Sequence, residues 1–147
     1  ASSRLGGASG HNFNLVLASM RIASASAALG VAKASLEYAT TYAKEREAFG
    51  VKIAQKQAIA FMLAEMATEI EAIRLLTWEA AWMLDTGNDE AVKQAYLAFT
   101  GAADMVMMVT DRGVQILGGH GYIREHPVEM WMRNGRGFAM LTGLAIV

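Results

Sequence analysis

The 147-residue chain contains no cysteine, which excludes a disulfide framework and metal sites built from thiolates. It contains a single proline, Pro127, so few positions interrupt a helix. Charge of either sign is scarce: 13 basic and 14 acidic residues give a net charge of -1, so no nucleic-acid partner is expected. The N-terminal segment lacks the pattern of a secretory signal, and we expect the cytoplasm or, in a eukaryote, the mitochondrial matrix.

Long hydrophobic runs are also missing. The longest uncharged apolar stretches, residues 22–32 and 137–147, have 11 residues each, whereas a membrane-spanning helix needs about 20. Hydrophobic residues nevertheless make up 54% of the chain, enough to bury a substantial core. We therefore expect one globular domain over residues 1–147, without a membrane span.

Apolar residues recur every three or four positions over long segments, and this spacing predicts α-helices. We place helices at about 12–45, 57–86, 89–117 and 127–141. The residues predicted to form the core are Ile59, Met66, Ile70, Ile73, Phe99, Ala103 and Val106. Short connections between long amphipathic helices predict an all-α fold, an antiparallel up-and-down four-helix bundle.

Two features of these helices predict packing beyond an ordinary amphipathic stripe. The first helix is rich in alanine and serine between Ala18 and Ser35, so another helix can approach it closely. In the second helix, Trp78, Trp82 and neighbouring apolar residues extend beyond one narrow face. Such wide apolar coverage predicts self-association or docking to another domain.

The first break between helices, residues 45–61, contains groups that suit a phosphate-bearing planar ligand. Arg46 offers a guanidinium to phosphates, Phe49 offers a ring edge, and the following glycine permits close approach of the backbone. The helix resumes at Gln57. The alternative interpretation is a helix-capping loop with a surface arginine.

The second break, residues 114–129, concentrates glycines at the end of a helix. Gln115, Gly118 and Gly119 can face a ligand there, although the segment matches neither the dinucleotide fingerprint nor the phosphate loop. The alternative is a wide turn into the helix that Pro127 starts. Two histidines, at 120 and 126, lack metal-ligand spacing, and no metal site is predicted.

Charged residues within the helices have simpler interpretations. Arg21 lies in the helix rich in alanine and serine, where a lone charge must be paired or face a ligand. Glu65, Glu69 and Glu71 are typical of a solvated helix face.

Five linked blocks follow one another along the chain: R-x-x-F-G, QAIAFMLAEMA, AAWMLDTG, VQILGGHGY with PVE, and a closing RNGR. In this order they resemble the C-terminal helical domain of the acyl-CoA dehydrogenase family, over nearly the whole chain. The segments FMLAEMA and VQILGG are especially similar to medium-chain members. The resemblance implies a FAD-dependent oxidoreductase in which a carboxylate removes the α-proton of an acyl-CoA thioester while the β-hydride passes to the flavin.

The resemblance also implies residue roles. The residues that would contact FAD bound to a neighbouring subunit are Arg46, Phe49, Gln57, Gln115, Gly118 and Gly119. Those that would line the substrate site are Arg21, Thr142 and Gly143. Ala48 stands where the family often has a hydroxyl residue, so one hydrogen bond to the phosphates is missing.

The family's catalytic base is a glutamate, and this chain has none at either family position. The usual position aligns with Thr142, and the position used by a minority of members is Met20, immediately before Arg21. A threonine hydroxyl and a thioether are too weak as bases at neutral pH. Three interpretations follow: a mixed oligomer whose paralogous subunit supplies the glutamate, other flavin chemistry, or a non-catalytic helical oligomerisation module.

Family members are usually tetramers of three-domain subunits, so the resemblance implies that the chain is the last domain of a larger protein. The implied partners are acyl-CoA, an electron acceptor, and further subunits that are identical or paralogous. Because half of the flavin site would lie elsewhere, we expect the isolated chain to bind FAD weakly or not at all and to be inactive.

Overall fold

Four α-helices form most of the protein, whose computed structural model describes residues 10–141. Helix α1 spans Phe13–Glu45, α2 spans Gln57–Asp85, α3 spans Ala91–Leu117 and α4 spans Val128–Phe138. Because the connections are short, successive helices run in opposite directions. The predicted all-α, up-and-down four-helix bundle is confirmed.

Local hydrogen bonds and backbone conformation fix the helix ends. The side-chain oxygen of Asn12 accepts a hydrogen bond from the backbone N–H of Asn14 at 3.1 Å and caps α1. Gly87, with φ of +68°, follows α2 in the left-handed conformation that glycine favours. Helix α4 ends at Phe138 rather than at the predicted residue 141, because the chain tightens into turns in which Met140 N donates to the carbonyl three residues earlier.

A short β-hairpin, which the helical periodicity does not predict, connects α1 to α2. Strand β1, Glu47–Ala48, pairs antiparallel with strand β2, Val51–Lys52. The two connecting residues, Phe49 and Gly50, have φ of 55° and +78°, as in a type I′ turn. Phenylalanine is disfavoured at such a position, so the usual sequence signal of this turn is absent. A 3₁₀ turn, Ile53–Gln55, then leads into α2.

The core lies where small residues of α1 meet larger ones of α2 and α3. The buried line on α1 consists of Ala18, Ala25, Ala28, Ala32, Ser35, Ala39 and Ala43. Five of the seven predicted core residues are buried, and the other two, Ile59 and Ile73, pack partly buried against the core. Helix α3 approaches α1 so closely that a Cβ added at Gly113 would collide with the Oγ of Ser35.

Apolar side chains also remain outside this core. The four most exposed on α2, between 57 and 61% exposed, are Phe61, Leu75, Trp78 and Trp82. Helix α1 is long and apolar enough to cross a membrane by length and composition alone. A core helix passes the same test, and the alanine line of α1 packs against the other helices of the bundle.

Candidate cofactor-contact site

The six residues expected to contact a cofactor lie at one end of the bundle. This end comprises residues 46–57, from the end of α1 to the start of α2, and residues 115–122, from the end of α3 through the 3₁₀ turn Gly118–Tyr122. We call it the loop end. A 3.3 Å contact between Tyr42 Oη and His120 Nδ1 joins α1 to this turn. The two breaks, separated by about 60 positions in sequence, are therefore neighbours in space.

The hairpin at the loop end presents Phe49 to solvent. Its side chain is 93% exposed, although its φ of 55° lies in the left-handed region, which costs a non-glycine residue roughly 1–2 kcal/mol. The Nζ of Lys56 lies 5.8 Å from the centroid of the ring. Burial does not explain an apolar ring held in this conformation, whereas a ligand or partner surface does.

The backbone of Arg46 is fixed while its side chain is exposed. Its N–H donates to the carbonyl of Tyr42 at 2.8 Å, and its carbonyl accepts from the N–H of Ile53 at 2.9 Å. Within residues 10–141 the guanidinium forms no salt bridge. The hairpin charges pair with each other instead: Lys52 Nζ lies 2.8 Å from Glu47 Oε1, and this hydrogen bond holds the pKa of Glu47 below its ordinary value.

The glycine turn is packed on one side and open on the other. A Cβ at Gly121 would lie 2.5 Å from the carbonyl oxygen of Val114, so the turn is folded tightly onto α3. A Cβ at Gly118 or Gly119 would meet no atom within 4 Å, and Gly118 needs its positive φ of +58° to end α3. With the exposed side chain of Gln115, this turn offers open backbone and one amide to a ligand.

Arg21, which is expected to line a substrate site, lies away from the loop end. Arg21 precedes Arg46 by 25 positions on α1, which separates them by about 37 Å along the helix axis. Its guanidinium lies over the ring of Tyr96, 4.9 Å from the centroid, and its buried Nε has no hydrogen-bond partner among the described residues. Thr142 and Gly143 lie outside the described residues. Arg21 and the expected cofactor residues therefore lie in two separate places on this chain.

The acidic residues of α2 are surface groups, as their spacing indicates. Glu65 forms a salt bridge with Arg112 and Glu71 forms one with Arg74, while Glu69 is exposed. In the part of the chain from residue 10 to residue 141, no group of three or more histidine or acidic residues could hold a metal ion.

An aromatic cluster that sequence reasoning missed lies beside the loop end. It consists of Tyr38, Tyr42, His120, His126 and Trp131. The two histidine rings lie 5.8 Å apart, and the Oη of Tyr38 lies 2.7 Å from His126 Nδ1. The available signal was the i, i+4 spacing of the two tyrosines on α1, which places both rings on one face.

One end of the bundle thus exposes a cation, an aromatic ring and open glycine backbone. The family model for the acyl-CoA dehydrogenase C-terminal domain matches residues 11–145. The chain is 46% identical over 116 residues to the mitochondrial short-chain specific acyl-CoA dehydrogenase of Bos taurus, covering 79% of this chain and 28% of that protein.

Two further similar proteins point to the same family. The caffeyl-CoA reductase–Etf complex subunit CarC of Acetobacterium woodii is 43% identical over 127 residues, which cover 86% of this chain and 33% of that one. The structure of butyryl-CoA dehydrogenase from Megasphaera elsdenii superposes with a TM-score of 0.81 at 37% identity, covering 90% of this chain and 37% of that one.

The chain belongs to the acyl-CoA dehydrogenase family, as the sequence motifs predict. Members of this family are FAD-dependent. The chain spans about a third of the length of the relatives it matches. The matched part is their helical C-terminal domain.

Proposed function

We propose that this chain is the C-terminal helical domain of a FAD-dependent oxidoreductase that acts on acyl-CoA thioesters, and that its loop end contacts FAD held by a neighbouring subunit. One observation carries the proposal: the exposed ring of Phe49 and the exposed Arg46 lie at the same end of the bundle as the open Gly118–Gly119 backbone. These groups can contact part of a large cofactor, and another chain supplies the rest of the binding site.

Each group at the loop end has a chemical counterpart in FAD. The guanidinium of Arg46 suits the diphosphate, because it donates several hydrogen bonds in a planar fork. The ring of Phe49 suits one edge of the flavin, and Gln57 begins the helix beside it. The turn with Gln115 offers hydrogen bonds to the adenosine part. When bound, FAD supplies the hydride acceptor, while these residues bind and orient it.

The distance between the two sets of residues supports assembly. Since about 37 Å of helix separates Arg21 from Arg46, one chain uses Arg21, Thr142 and Gly143 at its own substrate site and Arg46 at the cofactor of the next subunit. The partner subunit is identical or paralogous. Because CarC belongs to a complex with Etf, we propose an electron-transferring flavoprotein as the electron acceptor, in the cytoplasm or the mitochondrial matrix.

Flavin retention tests the cofactor part of the proposal. The protein is produced from its own gene, and its bound FAD per subunit is measured by absorbance before and after Arg46→Ala. Loss of the guanidinium should release FAD, since an exposed phosphate contact has no replacement. Arg124→Ala is the matched control, because Arg124 is exposed outside both segments of the loop end. Equal flavin content in all three proteins would make Arg46 an ordinary surface residue.

The isolated 147-residue chain provides an independent check. If most of the wall around the flavin belongs to another chain, titration of FAD followed by flavin fluorescence should show weak binding or none. Submicromolar binding would contradict the division of the site between subunits.

The missing base limits the activity of the native protein. Met20 is 51% exposed on α1 and supplies no proton acceptor, and Thr142 supplies only a hydroxyl. We expect Thr142→Glu to raise acyl-CoA-dependent flavin reduction by about 10²–10⁴-fold, the usual contribution of a positioned general base. The measurement is anaerobic bleaching of the bound flavin by thioesters of several lengths. Rapid bleaching by the native homomeric protein would show that another carboxylate is the base.

A second candidate function is a non-catalytic oligomerisation module. The observation that favours it is the exposed apolar face of α2, formed by Phe61, Leu75, Trp78 and Trp82. A protein that purifies without flavin but as a stable oligomer would support this alternative. A yellow protein that loses its colour with Arg46→Ala would contradict it.

A further inference from the structure

The aromatic cluster connects α1, the glycine turn, the segment before α4, and α4. Tyr38 and Tyr42 come from the last third of α1, His120 from the glycine turn, His126 from the segment before α4, and Trp131 from α4. Edge-to-face contacts link Tyr38 to both His126 and Trp131, at centroid distances of 5.9 and 5.8 Å. The cluster is therefore one contiguous packed unit.

Tyr42 occupies the central position in this unit. Its backbone carbonyl accepts the N–H of Arg46 at 2.8 Å and ends the helix there. Its Oη lies 3.3 Å from His120 Nδ1, in the turn that begins with Gly118 and Gly119. Tyr42 thus contacts both segments of the loop end: its carbonyl contacts Arg46, and its phenol contacts His120.

The turn has two attachments of different kinds. Gly121 fixes it to α3 by close backbone packing against Val114. The contact from His120 to Tyr42 fixes it to α1, and the shorter contact from His126 to Tyr38, at 2.7 Å, fixes the chain that follows. The α1–α3 interface places the turn near the end of α1, and the contact from His120 to Tyr42 adds a direct link from the turn to the residue whose carbonyl accepts the N–H of Arg46.

We propose that Tyr42 and His120 are positioning residues for the cofactor: their hydrogen bond holds the Gly118–Gly119 backbone at a fixed distance from Arg46. The inference rests on the proposed function, in which both segments contact one FAD. With the imidazole proton on Nε2, Nδ1 accepts the phenol proton of Tyr42. Neither side chain needs to touch the flavin, since each acts by locating a group that does.

The test compares FAD affinity of the apoprotein, prepared from the flavoprotein produced from its own gene, across matched variants. Tyr42→Phe removes only the hydroxyl. His120→Leu replaces the imidazole ring and its two nitrogens with an apolar side chain. Each should weaken FAD binding about five- to tenfold, the size of one net hydrogen bond. The double variant should bind no more weakly than the weaker single variant, because the two changes remove the same interaction.

Two further variants separate positioning from general packing. His120→Asn keeps a polar amide near the position of Nδ1 and should retain native affinity within about twofold. Tyr96→Phe removes an exposed phenol hydroxyl from α3 outside both segments of the loop end, so its affinity should not change. Hydrogen exchange of amides 118–122 in the apoprotein should quicken in Tyr42→Phe and His120→Leu only.

The outcomes are distinguishable. Suppose that Arg46→Ala releases FAD while Tyr42→Phe and His120→Leu bind it with native affinity. This result would overturn the inference and leave the proposed function intact. Additive losses, or a loss in His120→Asn equal to that in His120→Leu, would also overturn it. FAD retained in Arg46→Ala would contradict the proposed function itself. Circular dichroism of each variant checks that the helices remain folded, and the conservative Tyr42→Phe carries the test if His120→Leu does not fold.

Discussion

The α1–α3 interface and the loop end of the same bundle differ in how their side chains are covered: those of the interface are buried, and those of the loop end are exposed. At the interface, alanines of α1 are fully buried and Gly113 leaves just enough room for Ser35. At the loop end, Phe49 is 93% exposed in a left-handed conformation, and Arg46 is exposed. The interface is complete within one chain, whereas the loop end is arranged for a surface that comes from outside.

The largest expected effect on stability comes from filling the interface. Gly113→Ala places a methyl group against the buried Oγ of Ser35, which must shift to make room. We expect the free energy of unfolding to fall by about 1–3 kcal/mol, the usual cost of overpacking. Urea denaturation followed by circular dichroism measures this change.

Two controls make this prediction specific. Ser35→Ala in the Gly113→Ala background should restore most of the loss, since the next atom of Ser35 lies 3.7 Å from the added methyl and the Oγ has no hydrogen-bond partner. Gly119→Ala at the loop end meets open space and should change stability by less than about 0.5 kcal/mol. Equal losses for Gly113→Ala and Gly119→Ala would remove the contrast between the two regions.

A smaller effect, of opposite sign, is expected at the hairpin. Phe49→Asn puts the residue that favours a type I′ turn before Gly50, and it should raise the free energy of unfolding by about 1 kcal/mol while lowering FAD retention. Denaturation and bound-flavin absorbance on the same samples separate the two effects. Gly50→Ala is the control and should destabilise, because φ there is +78°. If the Phe49→Asn variant keeps its flavin, the ring of Phe49 does not help to bind the cofactor.

The apolar face of α2 should affect association more than folding. Trp82 is 60% exposed, so Trp82→Ser removes little buried area and should change stability by less than about 1 kcal/mol. If the face is covered by another subunit, light scattering should show a smaller assembly at the same concentration. Arg124→Ser, at an exposed residue outside both segments of the loop end, should leave the assembly intact. An unchanged assembly with Trp82→Ser would argue that this face is free.

The smallest expected effect depends on pH. The hydrogen bond from Lys52 lowers the pKa of Glu47, so the contribution of this pair is fully present above the ordinary carboxyl pKa of 4.5 and is lost as the pH falls through the lower folded value. The protection factors of the hairpin amides, which are exchange rates corrected for the pH dependence of free amides, should therefore be constant between pH 6 and 8 and fall in acid. Glu47→Gln should remove that acid-dependent step, and its persistence would assign it to another group.

The helices could be predicted from sequence because their periodicity is long and regular. The start of α2 and the end of α3 agree with the prediction, and five of the seven predicted core residues are buried. Helices α1, α2 and α3 are one or two residues shorter than predicted, and α4 is four residues shorter, because apolar composition near Gly137 does not show where the turns begin. Strong local patterns, repeated over several turns, are enough for such elements.

The site was less predictable because its geometry depends on contacts between distant segments. The motif resemblance found Arg46 and Phe49, but the hairpin that presents them has a phenylalanine where turn rules expect asparagine or glycine. The contact between Tyr42 and His120 joins residues 78 positions apart, and no spacing rule within one helix can reveal it. Neither feature has a local sequence signal of its own.

Hydrogen exchange of the flavin-loaded protein, measured before and after removal of FAD, tests the central claim most directly. The account predicts that amides in both segments of the loop end, residues 46–57 and 115–122, lose protection together when FAD is removed. Core amides of α3, residues 98–110, should keep their protection because the interface is complete without the cofactor. Unchanged exchange in both segments, or loss of protection in the core alone, would contradict the claim that the loop end is a cofactor-contact surface.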